Sequence, residues 1–314
     1  MSRKRSMGRP INGVLVLMKS AGMTSNHALQ KAKYLFSARK AGHTGSLDPF
    51  ATGVLPLCFG EATKFSQYLL DADKRYIATF RLGVATSTAD IEGEELARVD
   101  ASGLSAAQIE KALAAFRGDI LQVPPMVSAL KVNGQPLYKL ARKGQVIERQ
   151  ARAVTIYQLD ILAIRLGPVA EVDVDIRCSK GTYIRSIASD LGEALGVGGH
   201  VSKLHRAAAG CFTEDQAVTL EQLIEELGER SADVLDHYLL PPDAALEAIP
   251  KLALSNISSH YFCQGQAIMD MRVYRLGNQG DTVRVCREDG LFLGLGEITD
   301  DGRVAPRRVI ATGT

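Results

Sequence analysis

Asp48 is the one acidic residue in GHTGSLDPFATGVLPL, the stretch from Gly42 to Leu57, which otherwise holds glycines, small polar residues and an apolar exit. Glycine lets the backbone take positive φ and come close to another group, and an Asp-Pro step favours a turn. The stretch therefore reads as a tight, shaped loop with a carboxylate at its centre. An Asp before Pro can also do no more than start that turn. With no second acid in the loop, the carboxylate suits nucleophilic or electrostatic work better than proton exchange between paired acids. His43, five positions earlier, is the other group in the loop able to do chemistry.

Two further clusters could supply chemistry. DADKRY, residues 71–76, places Tyr76 at the start of a strand, and RCSKGTYIRS, residues 177–186, carries Lys180, Tyr183 and Arg185 across a strand-to-helix junction. Backbone N–H groups at such a junction are free to bind anions.

The elements that must position these residues follow from hydrophobic spacing. Ile11 to Met18 is a buried strand; Thr24 or Ser25 then caps a helix in which Ala28, Leu29, Ala32, Leu35 and Phe36 fall at helical intervals. Val54–Leu57 reads as a short strand and Ala62–Leu70 as a helix. Tyr76, Ala78, Phe80 and Leu82 alternate with Ile77, Thr79 and Arg81, the period of a half-buried strand. Ser105 caps a helix carrying Ile109, Leu113 and Phe116, and residues 123–144 are rich in turn formers and basic residues, as in an irregular hairpin with a short helix. Strands recur at Ala153–Ile164 and Val169–Cys178, and a helix follows with Ile184, Ile187, Ala188, Leu191 and Leu195 in one stripe. Thr219 and Gln222 form a capping box for the next helix, with a connecting stretch from about Gly228 to Pro250. Beyond it, Asp289-Gly290 and Asp301-Gly302 punctuate short apolar runs, the pattern of β-hairpins.

Composition narrows the function classes. The chain has 314 residues, enough for one large domain and a small one, and its 46% apolar and 23% charged residues describe an ordinary globular protein. With 37 basic and 35 acidic residues, nucleic-acid affinity would have to come from local patches. Such patches exist: Arg3, Lys4, Arg5 and Arg9; Lys31, Lys33, Arg39 and Lys40; and Arg303, Arg307 and Arg308. The five cysteines are scattered without CxxC spacing, as in a reducing compartment, and no His, Cys or Asp group has metal-ligand spacing, so no metal is expected. Lys19 cuts short the apolar run VLVLM, which excludes a signal core or a membrane span there and points to the cytoplasm.

GHTGSLDPFATGVLPL resembles the catalytic motif of the TruB family of bacterial tRNA pseudouridine-55 synthases. Four further segments resemble family motifs in the same order: INGVLVLMKSAGMTS near the start, DADKRY, RCSKGTYIRSIASDLGEALG and GRVAPRRV close to the end. The likeness spans nearly the whole chain. It implies an α+β fold in which a mixed, mainly antiparallel sheet with flanking helices forms a catalytic domain over residues 1–250. That domain would have a basic tail at 1–10 and an RNA-contacting insertion at about 124–152. Residues 251–314 would form a small β-rich PUA-type RNA-binding domain.

The implied reaction is isomerisation of uridine 55 in the T-loop of tRNA. The base is flipped out, its N1–C1′ bond is cleaved, the uracil turns, and C5 joins C1′. As an isomerisation it needs no cofactor. The resemblance makes Asp48 the catalytic carboxylate, with Arg185 opposite it and Tyr76 stacking on the uracil. His43 would enter the RNA stack, Tyr183 would lie beside the uracil, and Leu204 would form an apolar wall. Asp48 could attack C1′, add at C6 or remove the C2′ proton. Lys19 and Lys64 are further phosphate or structural candidates. The implied partner is the tRNA T-arm, with no membrane, no obligate protein partner and a monomeric chain. Two positions depart from the pattern: His205 replaces the first of a commonly paired arginine, leaving Arg206, and Ser46 stands where Ala or Thr is usual. Both bear on loop packing or phosphate contact.

Two other classes compete. One is a non-catalytic tRNA-binding or tRNA-folding protein on the same scaffold; the other is a glycoside hydrolase pairing Asp48 with an acid such as Asp190.

Overall fold

The computed structural model describes residues 8–311 apart from 129, 133, 142, 143 and 146; Arg3, Lys4 and Arg5 of the basic tail lie outside the described residues. In chain order the first half runs β1 (Gly13–Lys19), α1 (Ser25–Leu35), β2 (Ala41–His43), β3 (Thr52–Phe59), α2 (Ser66–Asp71), β4 (Lys74–Leu82), β5 (Val84–Thr86), β6 (Glu95–Arg98), α3 (Ala106–Ala114) and β7 (Gly118–Gln122). The insertion follows as β8 (Lys131–Val132), β9 (Gln135–Pro136) and α4 (Leu137–Ala141). Then come β10 (Arg152–Arg165), β11 (Ala170–Cys178), α5 (Ile184–Ala194), β12 (Gly199–Ala209), β13 (Phe212–Thr213), β14 (Val218–Thr219) and α6 (Leu220–Leu227). The last part holds β15 (Lys251–Leu254), α7 (Asn256–Cys263), β16 (Ile268–Met269), β17 (Thr282–Arg287), β18 (Phe292–Ile298) and β19 (Arg303–Val309).

The large sheet has the order β14-β1-β3-β12-β4-β11-β10-β7, with β2 added on β3 and β13 on β12. It is mixed and mainly antiparallel; β1 with β14 and β3 with β12 are its parallel pairs. The alternation in β11 explains its central place: Val172, Val174, Ile176 and Cys178 are buried, while Glu171, Asp173 and Arg177 lie on the wetter face. Their inner side chains join Leu15, Leu17, Phe80, Ile187 and Leu191 in one core that packs α1, α3 and α5 on the sheet. The caps form as their residue types require. Thr24 accepts the His27 N–H, and Ser105 with Gln108 and Thr219 with Gln222 make reciprocal capping boxes.

A separate sheet, β15-β17-β18-β19-β16, encloses its own core around Val283, Val285, Ile298 and Val304. Gly290 and Gly302, both at positive φ, close its hairpins at the two Asp-Gly turns. Phe65 and Phe292 meet edge to face at 5.2 Å between this sheet and the rest of the chain. Among the described residues, no helix is long and apolar enough to cross a membrane.

Three local expectations change. The helix expected over Ala62–Leu70 is a 3-10 turn, Gly60–Phe65, that hands over to the short α2. The last part contains α7, absent from the hairpin reading. Residues 199–209, where no strand is expected from the sequence, form β12 between β3 and β4 in the middle of the sheet. Register shifts at Val201/Lys203 and Arg206/Ala208 interrupt its period of two, which hides the strand in the sequence.

Candidate active site

The Asp48 loop joins β2 to β3 and is fastened from below by buried side chains. Ser25, in the first turn of α1, donates from its hydroxyl to the Leu47 carbonyl at 3.0 Å and accepts the Leu47 N–H at 2.7 Å. Lys19, at the end of β1 and fully buried, donates to the carbonyls of Ser20, Pro49 and Ala51 at 2.9, 3.2 and 2.6 Å. Burial drives its ammonium down to a pKa of about 8, against the pull of Asp48. Arg206, 1% exposed on β12, donates to the carbonyls of Val54 at 2.7 Å and Gly45 at 3.1 Å. Gly53 has to be glycine: its φ is +115°, and a Cβ there would lie 2.3 Å from the Arg206 carbonyl oxygen.

Arg185 enters from the first turn of α5 and meets Asp48 side on, Nε to Oδ2 at 2.9 Å and Nη2 to Oδ1 at 3.3 Å. Its side chain is 3% exposed, that of Asp48 34%, so the carboxylate faces open space while its counter-ion is sunk behind it. The guanidinium is shared. Nη1 reaches Asp90 Oδ2 at 3.2 Å and the Thr88 carbonyl at 3.0 Å, and Nη2 donates to the Val127 carbonyl at 2.7 Å. Asp90 is itself spoken for, accepting from the Thr88 hydroxyl at 2.5 Å and from the Glu92 N–H at 3.1 Å. The surrounding protein leaves Asp48 partly buried. That burial pushes its carboxyl above the ordinary value, Arg185 opposes the shift, and Asp90 reinforces it.

Asp48 opens onto a cavity of about 420 Å³ whose lining includes His43, Tyr76, Tyr183, Arg185, Leu204 and Arg206. Tyr76 on β4 and Arg206 on β12 face each other across the sheet, with Leu204 opposite Ala78. Burial raises the Tyr76 phenol and lowers the His43 imidazole, the latter reinforced by the Arg206 charge. His43 Nδ1 is buried with no hydrogen-bond partner among the described residues. A second cavity, of about 940 Å³ and bordered by Asn26, Thr88, Glu92 and Met126, also reaches Asp48 and His43.

Residues 33–184 match the TruB family pseudouridylate synthase N-terminal domain, 185–247 the tRNA pseudouridylate synthase B C-terminal domain, and 250–310 the pseudouridine synthase II TruB C-terminal region. A tRNA pseudouridine synthase B of Saccharophagus degradans is 60% identical over 311 residues, 99% of both chains. The chain belongs to the TruB family of pseudouridine synthases. Another family member, from Pseudomonas aeruginosa, is 53% identical over 99% of both chains. Among solved structures, a chain of a crystallised Cbf5-Nop10-Gar1 complex superposes with a TM-score of 0.70 at 25% identity, covering 98% of this chain and 87% of that one. A chain of an H/ACA RNP bound to a substrate RNA containing 2′-deoxyuridine reaches 0.70 at 24% identity over 95% and 84% of the two chains, a likeness of fold.

All six residues singled out from the sequence, His43, Asp48, Tyr76, Tyr183, Arg185 and Leu204, line this one cavity. Several neighbouring residues have other work. Lys19 clamps the loop from within, and Lys64 pairs with Glu61 at 2.5 Å and donates to the Val309 carbonyl at 2.8 Å, tying β19 down. Arg9 pairs with Asp236, Arg303 with Asp301 and Arg307 with Glu297, while Arg308 donates to the Lys64 carbonyl at 2.5 Å. These cations hold the chain to itself. Lys31, Arg39 and Lys40 stand exposed. Arg206, the arginine left beside His205, is a buried prop of the catalytic loop. At His205, Nδ1 lies 2.7 Å from the Thr52 hydroxyl and Nε2 3.1 Å from Glu214. Ser46 lies exposed where the two cavities meet. The Tyr183 N–H, expected to be free for an anion, is taken by Gln122 at 2.7 Å. Sequence spacing misses the shared role of Asp90, which lies 42 positions from Asp48 and 95 from Arg185.

Proposed function

We infer that this protein is a tRNA pseudouridine synthase that converts uridine 55 in the T-loop to pseudouridine. The observation that carries the reading is the contact of Asp48 with Arg185 at the cavity, Nε to Oδ2 at 2.9 Å, set among Tyr76, Tyr183 and Leu204 in a chain of the TruB family. A carboxylate must be charged to act as a nucleophile or base, and burial works against the charged form of Asp48. Arg185 offsets this from the protein side and leaves the cavity side free. Asp48 can then displace N1 at C1′, add at C6 or take the C2′ proton. Each route needs the same ionised oxygen facing the nucleotide.

The aromatic walls suit a base that must turn. The face of Tyr76 holds uracil by stacking without fixing its hydrogen-bonding edge, Tyr183 bounds the base on a second side, and Leu204 excludes water. His43, at the lip, is the residue we assign to the RNA stack beside the vacated position. The hydrolase reading, with Asp48 paired to an acid such as Asp190, does not find that partner in the cavity. Asp90 lies behind Arg185 with both oxygens engaged, and Asp190 does not line the cavity.

The division of labour we propose places catalysis in residues 1–250, with the insertion at 124–152 against the RNA, and puts 251–314 to work as a PUA-type RNA-binding domain. The chain acts alone on the T-arm in the cytoplasm. Tritium release from C5-labelled uridine in a tRNA transcript tests the reading: the wild-type protein releases tritium, and binding of tRNA without release would make it a non-catalytic binding protein.

A further inference from the structure

The geometry points to Gln122 as a positioning residue for the reaction, one that sets Tyr183 and the first turn of α5 from the root of the insertion. Gln122 closes the edge strand β7, and its rung partner Arg152 opens β10. The insertion therefore leaves the sheet and returns to it at this one pair. The Gln122 side chain is 3% exposed and points to the opposite element, where a single primary amide grips both sides of one residue. Its Oε1 accepts the Tyr183 N–H at 2.7 Å, and its Nε2 donates to the Tyr183 carbonyl at 3.0 Å.

Tyr183 needs this support because it is the N-cap of α5 and makes no side-chain capping bond of its own. A primary amide satisfies the N–H and the C=O together, as a neighbouring strand would, and so fixes the tilt of the Tyr183 peptide. Two residues on, the same turn carries the guanidinium that holds Asp48. Two more bonds stitch the same seam: the Ser186 hydroxyl donates to the Val123 carbonyl at 3.1 Å, and Arg185 Nη2 to the Val127 carbonyl at 2.7 Å. The arm and the catalytic turn thus share a hinge line, with Gln122 at its fixed end. Gln122 touches neither Asp48 nor the cavity, so it acts through Tyr183 and Arg185.

This inference rests on the proposed isomerase activity, and single-turnover tritium release with excess enzyme separates the two. No release by the wild-type protein would overturn that activity itself. Given wild-type release, Gln122→Met fills a similar volume with no amide and is expected to slow the release rate constant about tenfold or more, at full amplitude and with tRNA affinity unchanged in filter binding. A mere folding defect would lower the concentration of active enzyme and leave the saturating rate constant of the folded fraction as it was. Gln122→Glu keeps the acceptor for the Tyr183 N–H but sets an oxygen against its carbonyl, and is expected to be slowed likewise. A wild-type rate constant in either variant, or a loss confined to amplitude or to tRNA affinity, would overturn the role of Gln122.

Discussion

Two segments border the same cavity and are held in opposite ways. The loop from Thr44 to Ala51 is fastened along its length: Arg206 grips Gly45, Ser25 grips both sides of Leu47, and Lys19 grips Pro49 and Ala51. The insertion between β7 and β10 is joined to the rest of the protein, among the described residues, by hydrogen bonds at Val123 and Val127 near its root. A carboxylate that must approach one atom within a fraction of an ångström sits on the segment with buried anchors; the arm proposed to meet a large RNA is anchored at one end. Precision and reach are divided between two stretches of backbone, and Arg185 bonds to both.

Removing that shared residue should break the comparison outright. Arg185→Met leaves Asp90 buried and unpaired and frees Val127, so a loss of about 3–5 kcal/mol of stability is expected in urea unfolding, with tritium release slowed by about a hundredfold or more. Wild-type stability in that variant would show that Asp90 does not depend on the pair.

Lys19→Met attacks the fastened loop alone. Three carbonyls lose their donor, and a rate loss of about 10- to 100-fold is expected with tRNA affinity kept. Its pH signature is separate. The folded ammonium titrates at about 8 against 10.5 in the unfolded chain, so the unfolded state binds the proton more strongly and the fold gains stability as pH rises through that interval. Lys74, also brought down to about 8 by burial, contributes a similar rise, so urea titrations of Lys19→Met should keep a smaller gain than the wild type. An equal gain would mean that Lys19 binds its proton as strongly in the fold as in the unfolded chain, with no lowering by burial.

Tyr76 sharpens the cavity side of the comparison. Tyr76→Leu removes a stacking face and is expected to cost about 1–3 kcal/mol of transition-state stabilisation, whereas Tyr76→Phe keeps the face and should cost less. Equal losses would assign the work to the hydroxyl instead. The smallest effect belongs to the arm. Arg149, which donates to the Pro124 carbonyl at 3.1 Å, ties the two ends of the insertion together near its root, so Arg149→Ala should weaken tRNA affinity and leave the single-turnover rate within about twofold.

The legibility of this molecule in its sequence follows the range of the forces involved. The Asp48 loop, the stripe of α5 and the alternation of β11 are local patterns, and each stands in the structure where the spacing puts it. The α+β architecture and the six cavity residues were legible through ordered motifs shared with a family. What escaped is non-local. Bulges erase the period of β12, so neither the central strand nor the burial of Arg206 shows in KLHRAAAG. Lys19 reads as the end of an apolar run and a phosphate or structural candidate, and its partners are carbonyls that the fold alone brings together. The basic runs signal charge but not its use: Arg9, Lys64, Arg307 and Arg308 are occupied within the chain.

The central claim is that one carboxylate, held ionised by one arginine, carries the reaction. Asp48→Asn keeps the shape and the cavity and removes the charge, so tritium release from C5-labelled tRNA should vanish while filter binding gives the wild-type affinity. Release by Asp48→Asn at the wild-type rate would contradict the account.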